Sequence, residues 1–314
     1  MNAPARRIVV IGSYNRDLGI RLARFPVPGE TVIASGLAVA HGGKGSNQAV
    51  QAARCGAAVA MIAAIGTDAE GDAALALWAA EGIAAAAVRR VADAPTGTAV
   101  ILVEARGENE IVVVPGANTR LSPDAVDAGT FAGAALVLAQ LETPAAASLA
   151  AFRAGRAAGA RCMLNLAPAS AGIPADLLAE ADIVIANEGE AALATGLPAE
   201  AGGGALCHAL RDRLRAGATA VITCGADGAW LAGPEAPEGR HAPALPVEVT
   251  DTTGAGDAFV GAFAARLALG GGMDAALDAG VAAGSLACRR HGAVPSLPGA
   301  TEIAAALAGQ PRPG

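Results

Sequence analysis

The chain has 314 residues, 53% of them hydrophobic but only 3% aromatic, with 41 glycines and a formal net charge of −7. This length suits one large α/β domain with an appendage, or two domains, and no stretch approaches the ~18 uninterrupted apolar residues that a membrane helix needs. An acidic balance with no basic run longer than Arg289-Arg290 excludes nucleic acid as an expected partner.

The basic start, Met1 to Arg7, meets only Ile8 to Ile11 before Gly12, too little for a secretory signal, so a cytoplasmic protein is expected. Short apolar, β-branched runs then recur, each followed by an Ala-rich stretch of helical length: Arg7 to Ile11, Val59 to Ile65, Leu136 to Leu141, Cys162 to Leu166, Ile183 to Ala186 and Ala220 to Cys224. Alternating units of this kind predict a mainly parallel sheet with helices on both faces. Two regions break the rhythm, Thr31 to Ala40 and Thr98 to Val114, the latter with a polar turn at Arg106 to Asn109. They read as hairpin strands of a small attached sheet. Gly233 to Pro246 reads as a Pro-rich surface loop, and Ala258 to Leu269 and Met273 to Arg290 as helices separated by Gly270-Gly271-Gly272. The five cysteines (Cys55, Cys162, Cys207, Cys224 and Cys288) are widely spaced in apolar segments, as reduced buried thiols are.

Asp251-Thr252-Thr253-Gly254-Ala255-Gly256-Asp257 runs directly into the first of those carboxy-terminal helices. Glycines at a loop-to-helix junction let backbone N–H groups point at an anion, and the helix dipole adds to the attraction. Asp257 falls in the first helical turn, where it is either a capping group or, beside a phosphate cradle, a base for an attacking hydroxyl. His41-Gly42-Gly43-Lys44-Gly45-Ser46-Asn47-Gln48 opens a helix to about Cys55. It is no P-loop, because Ala38 and Gly45 stand where that motif needs Gly and Ser or Thr. It is either a tight turn with Ser46 as helix cap or a close approach of backbone to ligand, with Lys44 and Asn47 as donors.

Asn15 and Asp17 follow the first strand, Glu142 the third, and Asn187 to Glu190 the fifth, so all lie at strand carboxyl ends, where open α/β sheets bind ligands. Gly225-Ala226-Asp227-Gly228 is either a nucleotide contact or the turn of a hairpin between Val221 and Trp230. The histidines at 41, 208, 241 and 291 lack zinc-site spacing. Gly254-x-Gly256 continues to Phe259, so the dinucleotide fingerprint of a nicotinamide-dependent dehydrogenase fails.

Gly42-Gly43-Lys44-Gly45-x-Asn47-Gln48-Ala49 and Asp251-Thr252-Thr253-Gly254-Ala255-Gly256-Asp257 resemble the two signatures of the PfkB family of carbohydrate kinases, in their ribokinase form. The likeness runs from Gly12-Ser13-x-Asn15-x-Asp17 to Gly292-Ala293-x-Pro295-Ser296. It implies a single kinase domain over 1–314, a three-layer α/β/α fold with a mainly parallel central sheet, and a small β-sheet lid within 14–41 and 97–116. It further implies transfer of phosphate from ATP to a sugar hydroxyl, that of C5 for ribose. The implied base is Asp257, with an anion hole from the N–H groups of Gly254, Ala255, Gly256 and Asp257. Sugar would be held by Asn15, Asp17, Gly43, Lys44, Asn47 and Glu142, with Gly42 and Gly45 shaping the loop. ATP would meet Asn187, Thr223, Gly225, Gly228, Gly256 and Val281, with Asn187 and Glu190 tied to Mg²⁺ and phosphate. The positions matching a K⁺ site are Asp251, Thr253, Ala287, Arg290, Gly292 and Ser296, mostly through carbonyls. Members of this family commonly form homodimers through the lid.

His41 and Leu166 depart from the family pattern, and Tyr14 and Arg16 flank the substrate pair at the expected pocket rim. The alternatives are a kinase of the same family for 2-keto-3-deoxygluconate, fructose or a nucleoside, and a non-catalytic sugar-binding regulator. Retention of Asp257 and the Gly-rich loop speaks against the regulator.

Overall fold

The computed structural model describes residues 7–106, 108–168 and 172–309. In chain order the main elements are β1 (Arg7–Ile11), β2 (Asn15–Arg21), β3 (Gly36–Gly42), α1 (Lys44–Arg54), β4 (Ala58–Gly66), α2 (Ala69–Ala80), β5 (Ala84–Val91), β6 (Gly97–Val103) and β7 (Asn109–Val114). There follow β8 (Ala134–Ala139), α3 (Ala145–Ala157), β9 (Arg161–Asn165), α4 (Ala175–Glu180), β10 (Ile183–Asn187), α5 (Glu188–Thr195), α6 (Gly203–Arg211), β11 (Thr219–Thr223), β12 (Ala229–Gly233) and β13 (Ala236–Ala242). The chain closes with α7 (Ala255–Ala268), α8 (Met273–Ala287), α9 (Ala293–Ser296) and α10 (Ala300–Ala308).

The nine-stranded sheet has the order β13-β12-β11-β10-β9-β8-β1-β4-β5, parallel except where β12 and β13 pair antiparallel. Its central strands are buried on both faces, which is why they read as unbroken apolar runs. In β1, Ile8 and Val10 belong to the core under α1, α7 and α8. Val9 and Ile11 belong to the core under α3, α5 and α6. Small residues let α7 lie close to α1: a Cβ on Gly261 would come within 2.7 Å of the Gln48 carbonyl.

Two sheet strands differ from expectation. β5 carries Ala84 to Ala87 without a β-branched residue and reads as helix, yet it pairs with β4 at the sheet edge. β13 forms inside the supposed 233–246 loop. Pro237 is tolerated because β13 is an edge strand whose outer side needs no ladder bond.

The small sheet has the order β3-β2-β6-β7. Its first strand starts at Gly36 rather than Thr31, and β2 itself, with Asn, Asp and Gly, lacks a strand signature in sequence. Gly107, in the turn expected at Arg106 to Asn109, lies outside the described residues, as do 1–6 and 310–314 of the expected 1–314 domain.

Candidate active site

From β1 the chain proceeds to β4 and β5 on one side, then returns at β8 to the other edge of β1 and continues through β9, β10 and β11. Strand order therefore reverses between β1 and β8, and the crevice at their carboxyl ends is the ligand position of such sheets. Glu142 closes its floor. Its Oε2 accepts the Lys44 backbone N–H at 2.8 Å and the Ser13 hydroxyl, while Ser13 Oγ accepts the Gly45 N–H at 3.3 Å. Glu142 thereby clasps β1, β8 and α1 together through one oxygen. Its Oε1 makes no hydrogen bond among the described residues.

Asn15 and Asp17 open β2, and strand alternation turns both to one face and Arg16 to the other. The buried Asn118 orients Asn15, donating from Nδ2 to Asn15 Oδ1 at 2.9 Å and to the Tyr14 carbonyl at 3.0 Å. Its own Oδ1 accepts the Tyr14 N–H at 3.1 Å. With its oxygen engaged, Asn15 turns its amide NH₂ outward as a donor. Asp17 lies against Gly42, where a Cβ would stand 2.1 Å from Asp17 Oδ2. Burial, then the carboxylates of Glu142 and Asp257, push the Asp17 carboxyl up to about 7 against the pull of Arg16. A carboxyl raised above its unfolded value stabilises the fold fully below the unfolded pKa and loses that contribution as pH rises through the folded one. We therefore expect urea denaturation between pH 4 and 8 to show the ligand-free wild type losing stability relative to Asp17→Asn as pH climbs to about 7. A constant difference would show Asp17 to be an ordinary carboxylate.

Gly43 caps α1 with φ 88° and no side-chain bond. Ser46, the expected cap, instead accepts the Trp78 indole N–H at 3.0 Å. Burial opposes the charge on Lys44, but Asp257, Glu142 and Glu190 outweigh it and raise the ammonium above its ordinary value. Asn47 donates from Nδ2 to Asp257 Oδ2 at 2.9 Å, and its buried Oδ1 has no partner among the described residues. A buried acceptor in that state is suited to a hydroxyl from a ligand.

Gly254 caps α7 at φ 80°, and a Cβ there would lie 3.0 Å from Ala293 Cα. Of the four N–H groups expected to form an anion hole, that of Ala255 turns to the Thr252 carbonyl at 3.2 Å. Those of Gly254, Gly256 and Asp257 have no partner among the described residues. Space above Gly256 is open, since a Cβ would meet nothing within 4 Å. Asp257 does not cap the helix: its carboxylate accepts Asn47 Nδ2 on one oxygen and Gln48 Nε2, at 2.9 Å, on the other.

Asn187 and Glu190 form a capping box on α5. Asn187 Oδ1 accepts the Glu190 N–H at 2.8 Å and Glu190 Oε2 the Asn187 N–H at 2.9 Å. Burial pushes the Glu190 carboxyl up, opposed by that N–H and by Lys44. The 225–228 turn does join a hairpin of β11 and β12. Gly228 (φ 89°) is required by packing there, with a Cβ falling 2.0 Å from the Ala242 carbonyl, whereas Gly225 faces open space. Thr223 ends β11, and Val281 lines a small cavity with Ala242, Pro243 and Leu307.

Asp251 gathers the last group. Its carboxylate accepts the Thr253 N–H at 2.9 Å and the Gly292 N–H at 2.8 Å. Burial acts against ionisation, but these N–H groups hold the carboxyl below its usual range. The Ala287 carbonyl accepts the Arg290 N–H at 3.2 Å, the Arg290 side chain pairs with Glu302, and Ser296 bonds to the Ala293 carbonyl at 2.7 Å.

The sequence pattern of the pfkB family carbohydrate kinases matches residues 5–300. Ribokinase of Staphylococcus aureus is 36% identical over 306 residues, covering 95% of this chain and 98% of that protein. This chain belongs to the pfkB family of carbohydrate kinases. Deoxyribokinase of Salmonella typhi is 32% identical over 303 residues, 93% of this chain and 95% of that one. The structure of Arabidopsis thaliana ribokinase complexed with ribose and ATP superposes with a TM-score of 0.88 at 30% identity, covering 96% of this chain and 99% of that one.

Within this pfkB member the departures fall outside the crevice. Leu166 is fully buried in the core, its N–H bonded to the Ile185 carbonyl at 2.8 Å. Tyr14 is not at a pocket rim: it is fully buried, edge-on to Trp78, with its hydroxyl 2.8 Å from His41 Nδ1. Arg16 turns to Glu70 at 2.9 Å. Sequence reasoning missed Asn118, Gln140 and Asn165, single polar residues in apolar or turn surroundings that carry no spacing signal. Ser13 and Gln48 lay within quoted motifs with no role attached to them.

Proposed function

We propose that the chain transfers the γ-phosphoryl group of ATP to the C5 hydroxyl of ribose. The observation that carries this reading is the convergence, at the β1/β8 switch point, of a buried carboxylate on Asp257 with three N–H groups at the start of α7 that have no partner among the described residues. Asp257 accepts the proton of the attacking hydroxyl, and the N–H groups of Gly254, Gly256 and Asp257 receive the negative charge of the transferring group. Asn15, through its free NH₂, and Lys44 donate to sugar hydroxyls, whereas Asp17, Asn47 Oδ1 and Glu142 Oε1 accept from them. Asn187, Thr223, Gly225, Gly228 and Val281 are assigned to ATP. Lid closure excludes water as a competing acceptor.

Magnesium suits the oxygen-rich end of the crevice, where Glu190 has one oxygen outside its capping box and ATP would bring its own phosphates. When bound, it neutralises charge on those phosphates. A K⁺ ion would be held at the turn gathered by Asp251, by carbonyls from the matching positions Thr253, Ala287, Arg290, Gly292 and Ser296 with the Asp251 carboxylate beside them. The Ala287 carbonyl, already bonded to Arg290, is the weakest of that set.

The test is ADP production from ATP and Mg²⁺ across ribose, 2-deoxyribose, fructose, 2-keto-3-deoxygluconate and nucleosides, with and without K⁺. Ribose is expected to be turned over best. Turnover on none of them overturns the kinase reading, and preference for 2-deoxyribose, the sugar named by the Salmonella relative, would replace the substrate.

The lid is also the proposed dimer face. Val39, Leu18, Val100 and Val112 stand in one cross-strand row, and Leu37, Val39 and Val112 are largely exposed. Alternation puts this row opposite the face that carries Asp17, so pairing through it leaves the crevice clear. We expect the wild type to sediment as a homodimer and Val39→Asp/Val112→Asp as a monomer; identical sedimentation would rule the lid out. Among the described residues no helix is long and apolar enough to cross a membrane. Five free thiols suit a reducing cytoplasm.

A further inference from the structure

Beneath the crevice runs a chain of buried side-chain amides that joins three strands of the central sheet and helix α1 to Asp257. Asn165, at the end of β9, donates from Nδ2 to the Ile185 carbonyl of β10 at 3.1 Å, which leaves its Oδ1 facing α1. Gln48 Nε2 donates to that Oδ1 at 2.9 Å and to Asp257 Oδ1 at 2.9 Å. Gln48 Oε1 accepts Gln140 Nε2, from the end of β8, at 2.7 Å. Gln48 and Gln140 are at most 1% exposed.

The polarity of this chain is fixed from Asn165; Gln140, whose Oε1 has no partner among the described residues, follows Gln48 rather than holding it. A backbone carbonyl can only accept, so Asn165 must present its oxygen to Gln48. Gln48 then spends both amide hydrogens on Asn165 and Asp257, and its oxygen on Gln140. Flipping the Gln48 amide would set oxygen against oxygen at two contacts and nitrogen against nitrogen at the third. Asn47, the other donor to Asp257, is not held in this way, because its Oδ1 has no partner among the described residues. The two donors differ in kind: one is adjustable and lies toward the crevice, the other is locked from below by the sheet.

We propose that Gln48, locked by Asn165, is the positioning residue for Asp257: it fixes the rotation of the carboxylate. The assignment rests on Asp257 being the base. The arrangement makes the carboxylate an acceptor on its inner side, which leaves lone pairs on its outer side for the hydroxyl proton. Donors to a carboxylate stabilise the charged state and hold its orientation. The other charged groups that bear on Asp257 are Lys44 on α1, Glu190 on α5 and Asp17 on β2, with Glu142 beyond them; the substitutions below leave all four in place.

The experiment compares pH profiles of kcat and KM for Gln48→Met, Gln140→Met and the wild type, with ATP, Mg²⁺ and ribose. Losing a hydrogen bond to a charged group is expected to lower kcat for Gln48→Met about ten- to a hundredfold. KM for ribose should stay within about twofold, and the acidic limb of kcat should move to higher pH by about one unit. Gln140→Met, one bond further out, should shift both in the same direction by less. A Gln48→Met profile that matches wild type, or a fall in kcat with an unmoved acidic limb, overturns the proposal, the second result leaving only a packing role. Should Gln48→Met not fold, Gln140→Met decides alone by the same criterion. Failure of the base reading is separately visible, because Asp257→Asn would then keep its turnover whatever Gln48 does.

Discussion

Asp257→Asn is expected to lower turnover by about two to four orders of magnitude, the range of a positioned general base, while ribose binding changes by no more than the exchange of one hydrogen bond at Asn47. The substitution is unusually clean here. An amide at 257 accepts on only one atom, so one of its two present donors must be displaced. Gln48 is locked and keeps its bond to the new oxygen. Asn47 can rotate its amide, because its Oδ1 has no partner among the described residues; it then accepts from the new NH₂ and turns its own NH₂ to the sugar hydroxyl as a donor in place of the acceptor. The fold therefore loses no buried hydrogen bond, and the thermal midpoint should stay close to wild type. Initial rates of ADP formation together with calorimetric titration of ribose check both halves. Near-wild-type turnover would return Asp257 to a structural role.

Gly43→Ala should act in the opposite way, through structure first. A Cβ at this position would lie 2.7 Å from Asn15 N and 2.7 Å from Tyr14 Cα. Both are backbone atoms of the segment entering β2, so no side chain can yield. The residue also sits at φ 88°, which L side chains avoid at a cost of about 1–3 kcal/mol. Relief must come from separating the start of α1 from β2, which pulls Lys44 away from Asn15. We expect KM for ribose to rise at least about tenfold, and the thermal midpoint to fall by a few degrees, at about 2 °C per kcal/mol or less for a chain longer than about 250 residues. Gly256→Ala is the contrast. Its Cβ enters open space, so stability should hold while turnover falls as the methyl group crowds the transferring phosphate. If both variants lost stability equally, the open cradle at α7 would be the wrong description.

These two glycines show how the sequence could be read. The runs that became β1, β4, β8, β9, β10 and β11 were legible because a strand buried on both faces must be apolar throughout, and the two Gly-rich motifs because backbone approach to a ligand leaves little choice of residue. β5 and β13 were not legible, since an edge strand has only one neighbour and its composition is weakly constrained. β2 escaped for a different reason: it carries Asn, Asp and Gly, and turn-forming residues in a strand read as a turn.

The amide chain was hidden for a different reason. Gln48 and Asn165 are 117 positions apart, and Gln48 and Asp257 are 209 apart. A single glutamine within a helix or after a strand carries no period, so nothing local distinguishes it from a surface residue. By itself the sequence determined the layered α/β class and pointed to a crevice at strand carboxyl ends with the residues proposed to face it, because burial and backbone approach restrict composition residue by residue. Only the tertiary structure decided which way those groups point: which oxygen of Glu142 is taken, which amide of Asn15 faces outward, and that Asp257 is held by Gln48 rather than capping its helix. Hydrogen-bond direction depends on partners brought together by topology, and no spacing along the chain encodes it.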